Sequence, residues 1–176
     1  MGRLGLPFVA VPPLYEEEHD LDLPPDELVL ELAERKARSL VELHPKSYIL
    51  GSDQVVELDG RILGKPGNVE AAASQLADLS GRTHRLLTGV VLMDAASGRV
   101  ERVLDVHMMT MRSLTADQIV AYVTREMPVD CSGSYRVEGP GIALFKSMKG
   151  DDFTGIIGLP LTKVVDLLDV MQGVCE

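Results

Sequence analysis

Aromatic residues are scarce in this chain of 176 residues, which has no tryptophan, four tyrosines and three phenylalanines. Proteins that bind single-stranded nucleic acid without sequence preference usually stack the bases on exposed aromatic side chains. We therefore expect no such stacking surface here. Apolar residues as a whole are not scarce, since they make up 45% of the chain. That share is enough for a sizeable core and too high for a disordered polypeptide.

Basic residues are also few, because 17 lysines and arginines stand against 27 aspartates and glutamates and the formal net charge is −10. A non-specific nucleic-acid binder normally carries a basic patch or a basic total. We therefore predict no nucleic-acid partner. A small phosphorylated substrate is still compatible with this charge, because two or three lysines and a divalent cation can hold a triphosphate inside an acidic protein.

Cysteine is limited to Cys131 and Cys175, and neither has a histidine neighbour at metal-binding spacing. Two isolated thiols are typical of a reduced, cytoplasmic protein. No apolar run approaches the ~20 residues that a membrane span needs. Residues 1–6 are too short and too mixed in character for a secretory signal. We predict a cytoplasmic protein without membrane contact.

Several familiar catalytic motifs are missing as well. No segment fits the phosphate-binding pattern GxxxxGK[ST], and no serine lies in a GxSxG elbow. The four histidines form neither HxH nor HExxH. A P-loop and a serine hydrolase therefore have little support, and we expect the histidines to be structural or exposed.

Helical and extended segments alternate along the chain. A helix is predicted from Pro24 to Leu40, another over residues 69–79, and Asp59-Gly60 predicts a β-hairpin over residues 55–63. Further strands are predicted at residues 8–11, 84–94, 99–111 and 142–145, and further helices after Thr115 and around Val164. This order predicts an α/β class with a mixed sheet rather than a purely parallel one, in one domain or one domain with two lobes.

The first cluster that could carry chemistry is Gly51-Ser52-Asp53-Gln54, which has apolar residues on both sides. The pattern fits a buried strand that is interrupted at its functional end, or a strand with a bulge. Burial of a charge costs several kcal/mol unless it is paired, hydrogen-bonded or metal-bound. Asp53 is therefore either a functional carboxylate or a residue that forms a turn.

Two lysines have similar alternatives. Lys65 lies between Gly64 and Pro66, across the predicted hairpin from Asp53, so strand geometry could bring the two to the same end of the sheet. A lysine on such a rigid turn suits the neutralisation of phosphate charge, or it is simply solvated. Lys36 follows the acidic first turn of the first helix, where the helix dipole alone accounts for a basic residue.

Two acidic positions also leave alternatives open. The run Glu16-Glu17-Glu18 is either a solvated loop or a source of oxygen ligands for Mg²⁺ or Mn²⁺. Glu138 lies in a stretch rich in glycine and serine, just before Gly139-Pro140-Gly141, and glycine allows a ligand to approach the backbone closely. A carboxylate there could accept hydrogen bonds from a base edge with an N–H pair, as guanine has, but the pattern alone is a weak signal.

In these stretches the sequence resembles the Maf family of nucleoside triphosphate pyrophosphatases. The matching segments follow the order of the family and together are highly specific. They are residues Glu34–Ala37, Ile49–Val55, Leu63–Pro66, Leu79–His84, Thr88–Val90 and Ile157–Leu161. The resemblance implies the Maf/ITPase-like architecture, a mixed twisted sheet with flanking helices and two lobes around a cleft, in a single domain over residues 1–176.

The resemblance also implies a substrate. Residues 52–54 and 131–139 are similar to the branch of the family that acts on 7-methyl-GTP, whereas the branch for dTTP and UTP tends to have Thr at position 54 and Gln at position 138. Gln54 and Glu138 are then expected to influence base choice. The implied reaction is hydrolysis of 7-methyl-GTP, or another modified or non-canonical nucleoside triphosphate, to the monophosphate and pyrophosphate.

For the reacting phosphates, the resemblance implies that Asp53 is the proton acceptor and that Lys36 and Lys65 face the phosphates. It implies that Glu17, together with Asp53, holds a divalent cation, Mg²⁺ or Mn²⁺. It further implies a homodimer, although no residue pattern in the chain demonstrates one.

The start of the chain departs from the family pattern. Members open with a strand and a Ser-x-Ser-x-x-Arg phosphate loop, whereas Met1–Phe8 resembles the end of the helix that follows this loop. We therefore expect the first strand and the phosphate loop to be absent, either because the natural protein starts upstream or because the chain is short. A dTTP/UTP pyrophosphatase, or a catalytically impaired nucleotide-binding or regulatory Maf-like protein, is the alternative to an active 7-methyl-GTP pyrophosphatase.

Overall fold

The computed structural model describes residues 1–15 and 22–173. The helices and strands, in chain order, are α1 (Pro25–Arg38), β1 (Tyr48–Leu58), β2 (Arg61–Leu63), α2 (Val69–Leu79), β3 (Thr83–Asp94), β4 (Val100–Met111), α3 (Ala116–Glu126), β5 (Phe145–Lys149), α4 (Phe153–Ile156) and α5 (Leu161–Gln172). Short 3₁₀ turns span Gly2–Leu4, Ser132–Ser134 and Pro140–Leu144. None of the described helices is long and apolar enough to cross a lipid bilayer.

The strands form one sheet of five in the order β2-β1-β3-β4-β5. Strands β1 and β2 pair in the antiparallel direction, with Leu58 opposite Arg61, and β4 and β5 also pair in the antiparallel direction. At the tip of the first pair, Asp59 and Gly60 have φ angles of 52° and 81°. A two-residue hairpin turn of type I′ needs positive φ at both positions, which is why this dipeptide predicted the hairpin correctly. The α/β class with a sheet that is not purely parallel is confirmed.

Three predicted elements differ in the structure. Strand β1 continues through residues 51–54 without interruption, so Asp53 lies inside a strand rather than at its end. Residues 8–11 are irregular, because Pro7 and Pro12 cannot donate to a strand ladder and Phe8 and Val9 are exposed. The predicted strand at residues 142–145 is largely the 3₁₀ turn Pro140–Leu144, where the proline favours a helical start and delays β5 to Phe145.

The chain divides into two compact units. The first consists of residues 1–53, 88–105 and 152–176, and the second of residues 54–87 and 106–151. Strands β1, β3 and β4 each contribute residues to both units. The core of the first unit has a cluster of buried side chains from β3 and α5, namely Val90, Leu92, Val164, Leu167 and Met171. In the second unit, α2 and α3 pack against each other.

Two glycines allow α1 to lie unusually close to the strands of the first unit. A Cβ atom at Gly51 would stand 2.2 Å from the carbonyl oxygen of Ala33, and one at Gly89 would stand 2.4 Å from that of Val29. No real Cβ atom approaches backbone so closely, so these positions require glycine for space. Val29, Ala33 and Ala37 are buried and recur at every fourth position of α1, which defines the face turned toward the strands.

A charged group also holds α1 in the first unit. Glu34 is 4% exposed and forms ion pairs with Arg38 of the same helix, at 2.6 Å, and with Arg102 of β4. A buried carboxylate is tolerated only when its charge is paired in this way. The two arginines therefore help set the position of α1 beside the strands.

Candidate active site

The first unit brings two of the predicted site residues into direct contact. Lys36 on α1 donates a hydrogen bond from Nζ to Asp53 Oδ1 on β1, at 2.5 Å. The side chains of Lys36 and Asp53 are 18% and 11% exposed, so the pair is largely shielded from solvent and still accessible to it. The helix dipole alone therefore does not account for Lys36, because the lysine side chain lies against strand β1.

The closeness of α1 and β1 produces this contact. Gly51 precedes Asp53 by two positions, and its lack of a side chain admits the backbone of Ala33 on the helix. Lys36 lies one turn beyond Ala33 on α1, where its side chain reaches the strand. Gly51 thus has a physical role, because the close approach that it allows sets the distance between the Lys36 ammonium and the Asp53 carboxylate.

Helix α4 and the residues that follow it are hydrogen-bonded to strands β1 and β3. Ser52 Oγ donates to the carbonyl oxygen of Gly158 at 3.1 Å, and Thr88 Oγ1 donates to that of Gly155 at 3.4 Å. Gly158 has a φ of 104°, a backbone conformation that favours glycine. Part of the Ile157–Leu161 stretch that resembles the Maf family is therefore held against β1, on the face of the strand opposite to Asp53, because successive side chains of a strand point to opposite faces.

Asp152 organises the same segment and was missed at the level of sequence. Its Oδ1 accepts hydrogen bonds from the backbone N–H and the hydroxyl of Thr154, and its Oδ2 accepts from the N–H and the hydroxyl of Thr162, at distances of 2.5–2.9 Å. The signal that could have found it is Asp-x-Thr, in which an aspartate caps a short helix. Burial raises the pKa of Asp152, but the hydrogen bonds from Thr154 and Thr162 outweigh it and hold the pKa at about 2.

This low pKa predicts an acid-dependent share of stability. A carboxylate whose pKa falls on folding stabilises the protein above its unfolded pKa, and the contribution disappears as the pH drops toward 2. We expect Asp152→Asn to lower the free energy of unfolding by about 2 kcal/mol at pH 7. The difference from wild type should shrink between pH 4 and pH 2. Urea denaturation across this pH range checks the prediction, and a difference that is constant with pH would contradict it.

The other predicted site residues of the described chain belong to the second unit. Gln54 is half-buried on β1, Lys65 is exposed in the turn between β2 and α2, and Glu138 is exposed between two 3₁₀ turns. The sequence predicted a rigid turn at Lys65, and the structure has an irregular connection there that ends at Asn68, whose side chain caps α2. The distance between Lys65 and Asp53 stays a prediction.

The loop that carries Glu138 is anchored by an aromatic cluster. Tyr135 is buried, its hydroxyl lies 2.9 Å from His84 Nε2, and its ring meets Phe145 edge-on at 4.8 Å between centroids. Burial lowers the pKa of His84 to about 4, so this histidine is neutral at physiological pH. The backbone N–H of Arg136 adds a hydrogen bond to the hydroxyl of Tyr122 at 3.1 Å. His84 is structural, as predicted.

A metal site was predicted at Glu17 and Asp53. Glu17 lies outside the described residues. Within residues 1–15 and 22–173, no group of three or more His, Cys, Asp and Glu side chains is arranged to hold a metal ion. Mg²⁺ often needs only one or two protein carboxylates, because substrate phosphates and water complete its shell. The partly exposed carboxylate of Asp53 fits that kind of site.

Comparison with known proteins yields one family and a set of similar relatives. The family model described as Maf-like protein matches residues 1–171. The 7-methyl-GTP pyrophosphatase of Syntrophotalea carbinolica is 44% identical over 169 residues, which are 96% of this chain and 86% of that protein. Proteins with the same name from Pseudomonas putida and Pseudomonas fluorescens are each 42% identical; the matches cover 96% and 99% of this chain and 88% and 90% of those proteins.

Proposed function

The chain belongs to the Maf family, and we propose that it is a nucleoside triphosphate pyrophosphatase that hydrolyses 7-methyl-GTP to 7-methyl-GMP and pyrophosphate. The observation that carries the proposal is the contact between Lys36 and Asp53, a basic group and a carboxylate in a partly shielded site. Two of the stretches on which the family resemblance rests, Glu34–Ala37 and Ile49–Val55, supply the two residues of this contact. The names of the relatives support 7-methyl-GTP as the substrate.

Asp53 is proposed to act as the general base. Its carboxylate orients a water molecule and takes a proton from it while the water oxygen attacks the α-phosphorus. The bond between the α-phosphorus and the oxygen that bridges to the β-phosphate breaks, and pyrophosphate leaves with that oxygen. Lys36 holds the carboxylate through the 2.5 Å contact, and its positive charge stabilises the negative charge that develops on the phosphates.

A divalent cation completes the proposal. Asp53, together with Glu17, would hold Mg²⁺ or Mn²⁺, which when bound supplies neutralisation of the triphosphate charge. This explains how a chain with a net charge of −10 can take a polyanionic substrate. Lys65 is proposed to contribute positive charge at the phosphates from the exposed turn after β2.

Gln54 and Glu138 are proposed to select the base. The Watson–Crick edge of guanine presents two neighbouring N–H donors, and a carboxylate accepts from both. Methylation at N7 leaves those donors in place.

The proposed setting is the cytoplasm, where thiols such as that of Cys131 stay reduced. The homodimer stays a prediction.

The proposed function is tested by pyrophosphate release from 7-methyl-GTP in the presence of Mg²⁺ or Mn²⁺. We expect turnover that stops when EDTA is added, and a higher kcat/KM for 7-methyl-GTP than for dTTP or UTP. Preference for dTTP or UTP would place the chain in the other branch of the family. Nucleotide binding without any turnover would identify a catalytically impaired protein.

Replacing Glu138 by glutamine tests base selection. Glutamine keeps the length of the side chain but turns one acceptor into a donor, which then faces an N–H group of guanine. We expect the ratio of kcat/KM for 7-methyl-GTP to that for UTP to fall by on the order of 100-fold, as happens when a matched polar contact is lost. Steady-state assays with both nucleotides measure it. The matched control is Glu70→Gln at the start of α2, and an unchanged ratio in Glu138→Gln would exclude this role.

A further inference from the structure

Gln75 on α2 connects two segments that carry proposed binding residues. Ser134 Oγ donates a hydrogen bond to Gln75 Oε1 at 2.6 Å, and Gln75 Nε2 donates to the carbonyl oxygen of Gly64 at 3.0 Å. Gly64 immediately precedes Lys65, and Ser134 belongs to the loop that leads to Glu138. One side chain thus touches both the phosphate-facing turn and the base-facing loop. All of these residues lie in the second unit.

A side-chain amide is suited to making the two hydrogen bonds together, because it carries both a donor and an acceptor. The carbonyl oxygen of Gly64 can accept but not donate, so the NH₂ group of Gln75 must point to it. The amide oxygen then points to Ser134 and accepts from its hydroxyl. Glutamate at this position could not donate to Gly64, and methionine of similar length could do neither.

The loop at Ser134 has a backbone that needs such support. Ser134 is fully buried and has a φ of 62°, which is uncommon for a residue other than glycine. Gly133 beside it has a φ of 68°, and a Cβ atom there would stand 2.9 Å from Val56 Cγ2 on β1. Backbone in this region persists only where its surroundings hold it in place. The hydrogen bond to Gln75 is one of the contacts that do so.

We propose that Gln75 is a positioning residue that holds the Lys65 turn and the Glu138 loop in one fixed arrangement. The inference rests on the proposed function, because it assigns the turn to the triphosphate and the loop to the base. These two parts of a nucleotide are joined by one sugar, so their binding groups must keep a constant separation. Gln75 meets this need without contacting the substrate.

Steady-state kinetics test the consequence for catalysis. In Gln75→Met we expect KM for 7-methyl-GTP to rise by about five-fold, which corresponds to the loss of one hydrogen bond. The kcat should stay within about two-fold of the wild-type value. The preference for 7-methyl-GTP over UTP should fall in the same variant. Ser74→Ala, on the exposed neighbour in α2, is the control and should leave both constants unchanged. A Gln75→Met enzyme with wild-type KM and preference would overturn the proposal.

Hydrogen–deuterium exchange tests the connection without any need for turnover. A direct hydrogen bond from the N–H of Gly67 to the carbonyl of Val129, at 2.9 Å, gives a second route between turn and loop. Ser134→Gly permits the positive φ but removes the donor to Gln75. We expect it to raise exchange in a peptide over residues 62–68 by about five-fold in the wild-type background and to add no increase in the Gln75→Met background.

The exchange experiment separates this inference from the proposed function. An equal increase in exchange in both backgrounds would show that the loop affects the turn through the hydrogen bond between Gly67 and Val129 and not through Gln75. No increase in either background would show that the loop does not affect the turn. Either result would overturn the proposed role of Gln75. The expected pattern supports the connection even if the wild-type protein releases no pyrophosphate. In that case the enzymatic proposal fails while the contact between the two segments stands.

Discussion

Asp53→Asn is expected to reduce the release of pyrophosphate from 7-methyl-GTP by about 10³-fold, within the range lost when a general base is removed. Asparagine has nearly the same shape as aspartate and can still accept a hydrogen bond from Lys36, but it cannot take a proton from water. The fold should persist, because Lys36 is 18% exposed and keeps contact with solvent after it loses its charged partner. Turnover and thermal unfolding are to be measured on the same preparation.

The control for this substitution is Asp59→Asn on the same hairpin. Asp59 is exposed at the turn, and asparagine followed by glycine is equally suited to its positive φ. This variant should hydrolyse 7-methyl-GTP at the wild-type rate. Turnover in Asp53→Asn close to that of the wild type would remove Asp53 from the mechanism and with it the role of the Lys36 contact.

Among the substitutions proposed for this protein, Gly51→Ala is expected to lower the free energy of unfolding most, by about 3 kcal/mol. This value is in the upper part of the range for overpacked cores. The new methyl group would meet the carbonyl oxygen of Ala33 at 2.2 Å, and backbone cannot move aside as a flexible side chain can. Helix α1 would have to shift away from β1, which would separate Lys36 from Asp53. Activity should therefore fall even at temperatures where the variant is folded.

Urea denaturation measures the stability of this variant, and pyrophosphate release well below its melting temperature measures the site. Gly2→Ala is the matched control, because a Cβ atom at Gly2 would meet nothing within 4 Å. It should leave both the denaturation midpoint and the activity unchanged. A Gly51→Ala protein with the wild-type midpoint would show that α1 does not need this close approach.

The elements that were predicted correctly owe their form to neighbours in sequence. Helix α2 spans Val69–Leu79 as expected, and Asn68 caps it by accepting from the N–H of Ala71. The hairpin at Asp59 follows from two residues that tolerate positive φ. Helix α3 begins with a capping box between Thr115 and Gln118. Each of these signals acts over three or four residues, so no knowledge of the rest of the chain is needed.

The errors have a different origin. Residues 8–11 have the composition of a strand, but a strand needs a partner, and prolines on both sides remove donors that such a partner would use. Strand β1 was expected to be interrupted or bulged at residues 51–54, whereas Gly51 serves close packing against α1 and the strand continues. A glycine in a strand has the same local appearance whether it bends the chain or admits another element.

For the candidate site, sequence patterns alone indicated the family and suggested four candidate residues, Lys36, Asp53, Lys65 and Glu138. The hydrogen bonds of Asp152 and Gln75 were not predicted from these patterns. Only the folded structure shows that Lys36 contacts Asp53, that Asp152 connects Thr154 to Thr162, and that Gln75 connects Gly64 to Ser134. Local turns and caps depend on a few adjacent residues, whereas these contacts join separate elements and form only when packing brings those elements within hydrogen-bond distance.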